Sequence, residues 1–221
     1  MKKKISFLFF LISLLSFSQP TEPSKILIIY FSRTGNTEKF ANYIKEINEN
    51  ISEYKIEPTT PYPEDYNETL GIAQEEQKSG ARPEINNILN NVSDYDVILL
   101  GYPIWYSHIP NIVITQLEKL DLNGKTIYPF NTHGGSGTGS SINDIKSYAT
   151  NANVKDGFPI NMNDISNRNS SMEKIKNWLE QILEQSNQGT DAKEESENEN
   201  NKSIYKKINQ YLFYIICILL Y

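Results

Sequence analysis

A short loop rich in hydroxyl side chains, Ser32–Thr37, lies between an apolar run and a helix-like pattern. Its three hydroxyl residues supply hydrogen-bond donors, and Gly35 gives the backbone access to a left-handed or closely approaching conformation. A helix that begins near Asn36 would point its free N–H groups and the positive end of its dipole at the same place. This combination suits a phosphate monoester. Capping of the helix by Ser, Thr or Asn explains the same residues without a ligand.

The spacing within this Ser–Thr loop differs from that of two common nucleotide-binding loops. It matches neither the G-x-x-x-x-G-K-[ST] pattern nor the G-x-G-x-x-G pattern. Walker-type use of ATP and binding of a dinucleotide are therefore disfavoured.

Two later loops carry residues that suit a flat ring with polar edges. The aromatic loop, Tyr102–Pro110, contains Trp105 and Tyr106, whose rings offer area for stacking. The glycine loop, Asn131–Ser141, has four glycines that allow backbone N–H groups to come close to a ring. Each loop also has a simpler interpretation: Trp105 plugs the end of a sheet, and the glycine loop is a flexible linker.

Apolar runs alternate with helix-like segments between Lys25 and Glu184, which predicts an α/β domain. The predicted strands are Lys25–Ser32, Ser52–Tyr62, Asp96–Gly101, Gly124–His133 and Val154–Met162. The predicted helices are Asn36–Asn48, Glu64–Gly80, Asn111–Leu120, Ser141–Ala149 and Ser170–Glu184, with a short helix or turn at Glu84–Asn91. Such alternation implies a parallel sheet with helices on both faces, in which ligands bind at the carboxyl ends of the strands. Because all three loops follow strands, we expect them to meet there.

Three segments resemble the flavin loops of flavodoxins. "ILIIYFSRTGNTEKFA" resembles the first strand and phosphate loop of that family, whose S/T-x-T-G-x-T motif holds the phosphate of FMN. "GYPIWYSHIP" and "NTHGGSGTGSS" resemble the second and third flavin loops of flavodoxin-like proteins with a G-x-P-I-W motif. The resemblance covers roughly residues 25–184. It implies a doubly wound, five-stranded parallel sheet in the order 2-1-3-4-5, with FMN at the strand ends.

The resemblance also implies which residues contact FMN, each assigned by its position in a matching motif. The residues implied to enclose the phosphate are Ser32, Arg33, Thr34, Gly35, Asn36 and Thr37. The residues implied to line the ribityl chain and the ring are Pro103, Ile104, Trp105 and Tyr106. The residues implied to contact the pyrimidine side of the ring are Thr132, His133, Gly134, Gly135 and Ser136. No catalytic residue and no metal ligand is assigned.

Some of these residues have open roles. Arg33 either neutralises the phosphate or lies at the surface, and we favour a surface-facing, mixed role because backbone N–H groups can hold a phosphate. His133 stands where the family usually has a small hydroxyl residue, which leaves ring-edge hydrogen bonding and the reduction potential open. It is either a proton donor during flavin reduction or, as we favour, a hydrogen-bonding partner of the cofactor or backbone. Tyr62 or Tyr66 would approach the ring if the preceding proline-rich segment forms a further wall, but neither is included in the site.

The N-terminal segment Met1–Ser18 has three lysines, an apolar run, and small residues at positions 16 and 18. This is the layout of a secretory signal peptide, and the alternative is an uncleaved N-terminal anchor. As a helix the apolar run would be about 20 Å long, against roughly 30 Å of hydrocarbon in a bilayer. We therefore expect export to a periplasmic or extracytoplasmic location, or a cytoplasmic location if the segment is not a signal.

The C-terminal part of the chain differs in composition from the middle. Residues 185–203 are polar and acidic, which predicts a disordered linker. Residues 204–221 form an apolar tail whose run from Tyr211 would span only about 17 Å as a helix, too short to cross a bilayer alone. The tail would lie at a membrane surface, dock on a partner, remain from a longer membrane segment, or have no function.

Composition narrows the function classes. The net charge of −6 argues against nucleic acid as a partner. A single cysteine, Cys217, excludes an intrachain disulfide and a cysteine-based metal cluster. Three functions remain open: an FMN-binding carrier of electrons between redox partner proteins, an FMN-dependent NAD(P)H:quinone or nitro reductase acting on small quinone-type acceptors, and a cofactor-free binding module on the same scaffold.

Overall fold

The computed structural model describes residues 24–186, together with positions 199, 202–204 and 206–207. The predicted signal peptide or anchor lies outside these residues, as does most of the predicted linker and tail. Among the described residues, no helix combines the length and the hydrophobicity that crossing a membrane requires.

The chain divides into two units. One is Ser24–Gly189, and the other consists of Met1–Pro23 and Thr190–Tyr221. In the second unit the described positions are helical. The β-sheet and the helices that flank it belong to the first unit.

Strands and helices alternate along the first unit, as predicted. The strands are β1 Ile26–Tyr30, β2 Ser52–Lys55, β3 Val97–Pro103, β4 Thr126–His133, β5 Asn153–Val154 and β6 Phe158–Asn161. The helices are α1 Asn36–Ile47, α2 Tyr66–Ser79, α3 Asn111–Leu117, α4 Ser141–Tyr148, and α5 at residues 168–186. All strands pair in parallel in the order β2-β1-β3-β4-β5, which confirms the predicted doubly wound fold.

The fifth position of the sheet is shared by two short strands. β5 pairs with the first residues of β4, and β6 pairs with its last four, Phe130 to His133. The predicted fifth strand, Val154–Met162, is therefore interrupted at residues 155–157. Gly157 lies in this gap, where a Cβ would come within 2.8 Å of the Ile142 Cδ1 atom, so the chain passes close to α4.

The core lies on both faces of the sheet, as the continuous apolar run of β1 predicts. All five residues of β1 are buried. Leu27 and Ile29 pack in a cluster with residues of α3 and α4. Ile26 and Ile28 pack in a second cluster with residues of α1 and α5. The alternation follows from the two-residue period of a strand, which points successive side chains to opposite faces.

The closing helix has the predicted apolar stripe. Ile175, Leu179 and Ile182 of α5 are buried in the second cluster. Trp178 stacks on Phe158 of β6, with ring centroids 5.1 Å apart and planes inclined by 20°. α5 therefore anchors the strand that completes the carboxyl end of the sheet.

The segment Glu84–Asn91 differs from its prediction as a short helix or turn. It contains a bend and an isolated antiparallel bridge between Ile85 and Pro58. The Asn86 N–H also donates to the Glu57 carbonyl at 2.9 Å. These backbone contacts to a distant segment replace the local bonds that a helix would have made.

Candidate functional site

A cavity of about 480 Å³ lies where β1, β3 and β4 end. Ligand-binding pockets typically measure about 300–1,000 Å³, so its size suits a cofactor. Twelve of the fifteen residues that the sequence assigns to the site line this cavity, and the three that do not are Gly35, Gly135 and Ser136. The lining residues that the sequence did not assign are Tyr66, Thr69, Leu70, Ala73 and Met162.

The Ser–Thr loop leaves the N-terminus of α1 without a side-chain cap. The N-cap residue is Gly35, with φ +85°, and no side chain in this described loop bonds to the first turn of α1 as a cap. The first intrahelical bond runs from Lys39 N–H to the Gly35 carbonyl at 2.8 Å, and the Ser32 hydroxyl accepts from Gly35 N–H at 3.1 Å. The capping interpretation is therefore wrong. The N–H groups that precede the first intrahelical bond remain suited to an anion.

The charges around this loop favour an anionic ligand. Among the described lining residues, Arg33 carries the single formal charge. Glu38 places a negative charge in the first turn of α1, but Lys55 Nζ lies 2.8 Å from its Oε1 atom and offsets it. The cavity therefore presents a net positive field from Arg33 and the α1 dipole.

A buried pair of hydroxyls joins the Ser–Thr loop to β4. The Oγ1 atoms of Thr37 and Thr132 lie 2.9 Å apart, and the two residues are 1% and 3% exposed. Neither hydroxyl has ready access to water, so each depends on the other for a partner. The pair fixes the start of α1 against the end of the neighbouring strand.

Thr37→Val is expected to lower the free energy of unfolding of the cofactor-free protein by about 1–3 kcal/mol, because the Thr132 hydroxyl is left buried without its partner. Thr132→Val should have a similar effect. The double variant, which removes both polar groups, should be less destabilised than the sum of the two single variants. Urea unfolding of all four proteins measures this, and strictly additive losses would contradict the pairing.

Trp105 closes the end of the sheet and also forms part of the cavity wall. Its ring contacts Phe31 and Tyr62 edge-on, with centroid distances of 5.6 Å and 5.0 Å. It lines the cavity as well. One side chain therefore packs at the end of the sheet and lines the cavity, and its stacking on a ring stays a prediction.

A tight turn in the aromatic loop presents Tyr106 to the cavity. Trp105 and His108 exchange two backbone hydrogen bonds, of 3.0 Å and 2.9 Å. The two residues between them, Tyr106 and Ser107, have φ of 47° and 68°. Such a turn with two positive φ values usually contains Asn-Gly, so the residue types here gave no sign of it. Tyr106 is 44% exposed at the cavity.

The glycine loop packs against this turn and does not behave as a free linker. Ser140 N–H donates to the Ser107 carbonyl at 2.6 Å. Gly139 has φ +52°, and a Cβ on it would lie 2.4 Å from the Ser107 carbonyl oxygen. From α4, Asp144 accepts bonds from Ile109 N–H at 3.2 Å and lies 3.0 Å from the His108 Nδ1 atom. Glycine at position 139 therefore allows the backbones of the two loops to approach each other closely.

Helix α2 forms a wall of the cavity that the sequence did not assign to the site. Only two of its residues, Thr69 and Ala73, are buried, and polar contacts tie it to the site. Gln77 Nε2 donates to the Trp105 carbonyl at 2.9 Å, and the Tyr62 hydroxyl donates to the Glu76 carboxylate at 3.0 Å. Burial raises the pKa of Glu76, and the Tyr62 bond partly opposes that shift.

His133 lies at the end of β4 with its side chain in the cavity wall. Its Nδ1 atom lies 3.0 Å from Gly135 N and accepts that N–H. A neutral imidazole that accepts at Nδ1 carries its proton on Nε2. Burial lowers the pKa of His133, and the nearby Asp164 carboxylate partly opposes that shift. The structure therefore favours the neutral, hydrogen-bonding form.

This lowered pKa predicts a pH dependence of stability. The folded state binds the His133 proton less tightly than the unfolded chain does. The contribution of neutral His133 to the free energy of unfolding is therefore complete above the unfolded pKa of about 6.5 and declines as the pH falls below it. His133→Gln keeps an acceptor for Gly135 N–H but does not titrate. The stability advantage of the wild-type protein over this variant should therefore shrink between about pH 7.5 and 5.5. Urea unfolding of both cofactor-free proteins measures this; a pH-independent difference would refute it.

Comparison with known proteins identifies relatives of this fold. The flavodoxin family model matches residues 25–182. A solved structure from Bacteroides eggerthii, of a protein assigned as a flavoprotein, is 35% identical with a TM-score of 0.62, and the match covers 72% of this chain and 98% of that one. A similarly assigned protein from Bacteroides uniformis is 29% identical with a TM-score of 0.62, and the match covers 72% and 99% of the two chains.

A more distant solved structure shares the fold. It is a flavoprotein from Lactobacillus acidophilus in complex with FMN, 22% identical with a TM-score of 0.52, and the match covers 65% of this chain and 97% of that one. No curated protein matches the sequence. The family match, the sheet order and the convergence of the three loops agree, and the chain belongs to the flavodoxin family.

Proposed function

We propose that this flavodoxin carries electrons between redox partners by means of FMN. FMN is the cofactor of the chain, and when bound it supplies reversible redox chemistry that amino-acid side chains lack. The observation that carries the proposal is one cavity with an anion-binding loop and an aromatic wall. The protein's part is to bind the flavin, orient it and set the field around it.

The Ser–Thr loop fits the phosphate of FMN. The N-terminus of α1 has no side-chain cap, so its first N–H groups are suited to the phosphate oxygens. The hydroxyls of Ser32 and Thr34 line the same part of the cavity, and Arg33 adds a positive charge. These groups would hold a phosphate dianion without a lysine.

The remaining walls fit a flat ring. Trp105, Tyr106 and Tyr66 supply aromatic surface, while His133 and Gly134 supply a polar edge. Backbone N–H groups at such an edge favour negative charge on a bound ring, which is a means of tuning its reduction potential. The walls therefore match a molecule with an apolar plane and a polar rim.

Exposed side chains at the cavity support contact with partners. Tyr66, Tyr106 and Met162 line the cavity and are 64%, 44% and 46% exposed. An apolar rim of this kind lets a partner protein approach closely enough for electron transfer. It equally favours the second candidate, an NAD(P)H:quinone or nitro reductase, because a nicotinamide or quinone could stack against the same surface.

Steady-state oxidation of NAD(P)H discriminates between the two functions. The FMN-loaded protein is mixed with NADH or NADPH and a quinone, and absorbance of the reduced nicotinamide is followed. A carrier gives no turnover until a separate reductase is added. Rapid turnover by the flavodoxin alone would replace the carrier function with the reductase function.

We also propose that the protein is exported, on the basis of the lysine-rich and apolar pattern of residues 1–18. Its redox partners would then be extracytoplasmic or at a membrane, where the apolar tail would help to hold it. Mass spectrometry of the protein from its native cells tests this. Cleavage near Ser18 is expected, and an intact Met1 would contradict cleavage.

A further inference from the structure

Arg33 lies where two cavities meet. One is the FMN cavity, and the other is a cavity of about 310 Å³ near the end of β2. Ser32 and Arg33 line both of them. The second cavity is therefore the space next to the phosphate-binding part of the first, with Arg33 at the junction.

One nitrogen of the guanidinium group is held at this junction by three acceptors. The two N–H groups of Arg33 Nη1 are shared among the carbonyls of Pro63 at 2.7 Å and Glu64 at 3.1 Å and the Thr69 hydroxyl at 3.1 Å. Thr69 is buried, and its own hydroxyl lies 2.9 Å from the Pro63 carbonyl oxygen. The Arg33 side chain cannot move away from the junction without breaking these hydrogen bonds. It therefore links the Ser–Thr loop to the start of α2.

We propose that Arg33 closes the phosphate end of the FMN cavity and thereby selects a flavin that ends in a phosphate monoester over one whose phosphate is extended by a nucleotide. The inference rests on FMN as the cofactor. It assigns Arg33 a specificity role in addition to its charge.

The chemistry of the two ligand classes explains the selection. The phosphate of FMN terminates the molecule and needs no space beyond the loop that binds it. The phosphate of FAD continues into a second phosphate and an adenosine, so FAD needs an exit from that loop. The second cavity offers such space, and Pro58, Pro61 and Tyr62 give it an apolar surface on which a purine could stack. Arg33 stands between the loop and this space.

The charge of Arg33 adds to the preference for a terminal phosphate. The oxygens that Nη1 contacts are neutral, and within residues 24–186 Arg33 forms no ion pair. Its positive charge therefore stays available to a phosphate. A terminal monoester carries up to two negative charges, whereas each phosphate of a diester-like linkage carries one, so the monoester gains more from this charge.

Flavin titrations of variants test the inference. Affinities for FMN, FAD and riboflavin are measured by quenching of flavin fluorescence with the wild-type protein, Arg33→Ala, Arg33→Lys and the control Arg82→Ala. Arg82 is a matched arginine that pairs with Glu118 and does not line either cavity. Thermal unfolding of each cofactor-free variant confirms folding, and Arg33→Lys, which keeps the charge, replaces Arg33→Ala if the latter does not fold.

The wild-type protein should prefer FMN to FAD, and Arg33→Ala should lower the ratio of FMN affinity to FAD affinity by at least about tenfold. Arg82→Ala should leave the ratio unchanged. An unchanged ratio in folded Arg33 variants, or equal wild-type affinities for FMN and FAD, would overturn the inference while leaving FMN binding intact. Failure of the wild-type protein to bind FMN would instead overturn the proposed function. Riboflavin affinity reports on the ring end and should change less than FMN affinity.

Discussion

Thr34→Asp is expected to weaken FMN binding by at least about 100-fold and to leave riboflavin binding nearly unchanged. Thr34 is exposed and lines the cavity at the Ser–Thr loop, so the substitution disturbs no buried contact. A carboxylate there would face the phosphate dianion. Two unit charges 4 Å apart repel by about 4 kcal/mol at an effective dielectric constant of 20, and screening leaves roughly 3 kcal/mol, or about 100-fold.

Riboflavin makes this experiment specific, because it has the same ring and ribityl chain without the phosphate. Fluorescence titrations of both flavins are run with the wild-type protein, Thr34→Asp and the neutral control Thr34→Asn. The control should retain most of the FMN affinity. Equal losses for FMN and riboflavin, or no loss for either, would show that the phosphate does not lie at the Ser–Thr loop.

Gly101→Ala is expected to lower the free energy of unfolding by about 3 kcal/mol, the upper end of the usual cost of overpacking a core. Gly101 is the glycine of the G-x-P-I-W motif and pairs with Phe130 of β4. A Cβ at this position would lie 2.2 Å and 2.5 Å from ring atoms of Phe130. The Phe130 ring is fully buried and packs on Phe40, with centroids 4.6 Å apart, so it has no space into which it can move.

Gly71→Ala is the matched control for that prediction. Gly71 lies within α2, is exposed, and would have no atom within 4 Å of an added Cβ. The substitution should raise the free energy of unfolding by about 0.5–1 kcal/mol, because alanine loses less backbone entropy than glycine in a helix. Urea unfolding of both variants measures the effects. A Gly101 variant as stable as the wild-type protein would contradict the packing described here.

The strong apolar signals in the sequence predicted the sheet and the position of the site. The continuous run of β1 indicated a strand buried on both faces, which the two core clusters confirm. Because the carboxyl ends of parallel strands meet at one edge, the loops after β1, β3 and β4 could be expected to converge. The residues of all three loops line one cavity. The alternation of strands and helices and the residue types of the loops were sufficient for this prediction, whereas the order of the strands in the sheet was implied by the resemblance to flavodoxins.

Helix α2 could be predicted as a helix but not as a wall of the site. Its buried residues, Thr69 and Ala73, are small or polar, so it has no apolar stripe to show which side faces the protein. Its position depends on contacts with distant residues, such as the bond from Gln77 to Trp105. Contacts of this kind leave no periodic pattern in the sequence.

The geometry of the aromatic and glycine loops also lay beyond sequence reasoning. Positive φ at Tyr106 and Ser107 goes against the usual preference of these residues. The glycine loop was expected to approach a ring through several glycines, but Gly135 does not line the cavity, and Gly139 meets the Ser107 carbonyl. Tertiary contact between the two loops determines both conformations.

Binding of FMN in the cavity is tested by a visible absorption titration of the cofactor-free protein with FMN. Saturation is expected at one FMN per chain at micromolar concentrations, with flavin bands shifted from those of free FMN by the aromatic and polar walls of the cavity. A spectrum that remains that of free FMN, with a folded protein at micromolar concentrations, would contradict it.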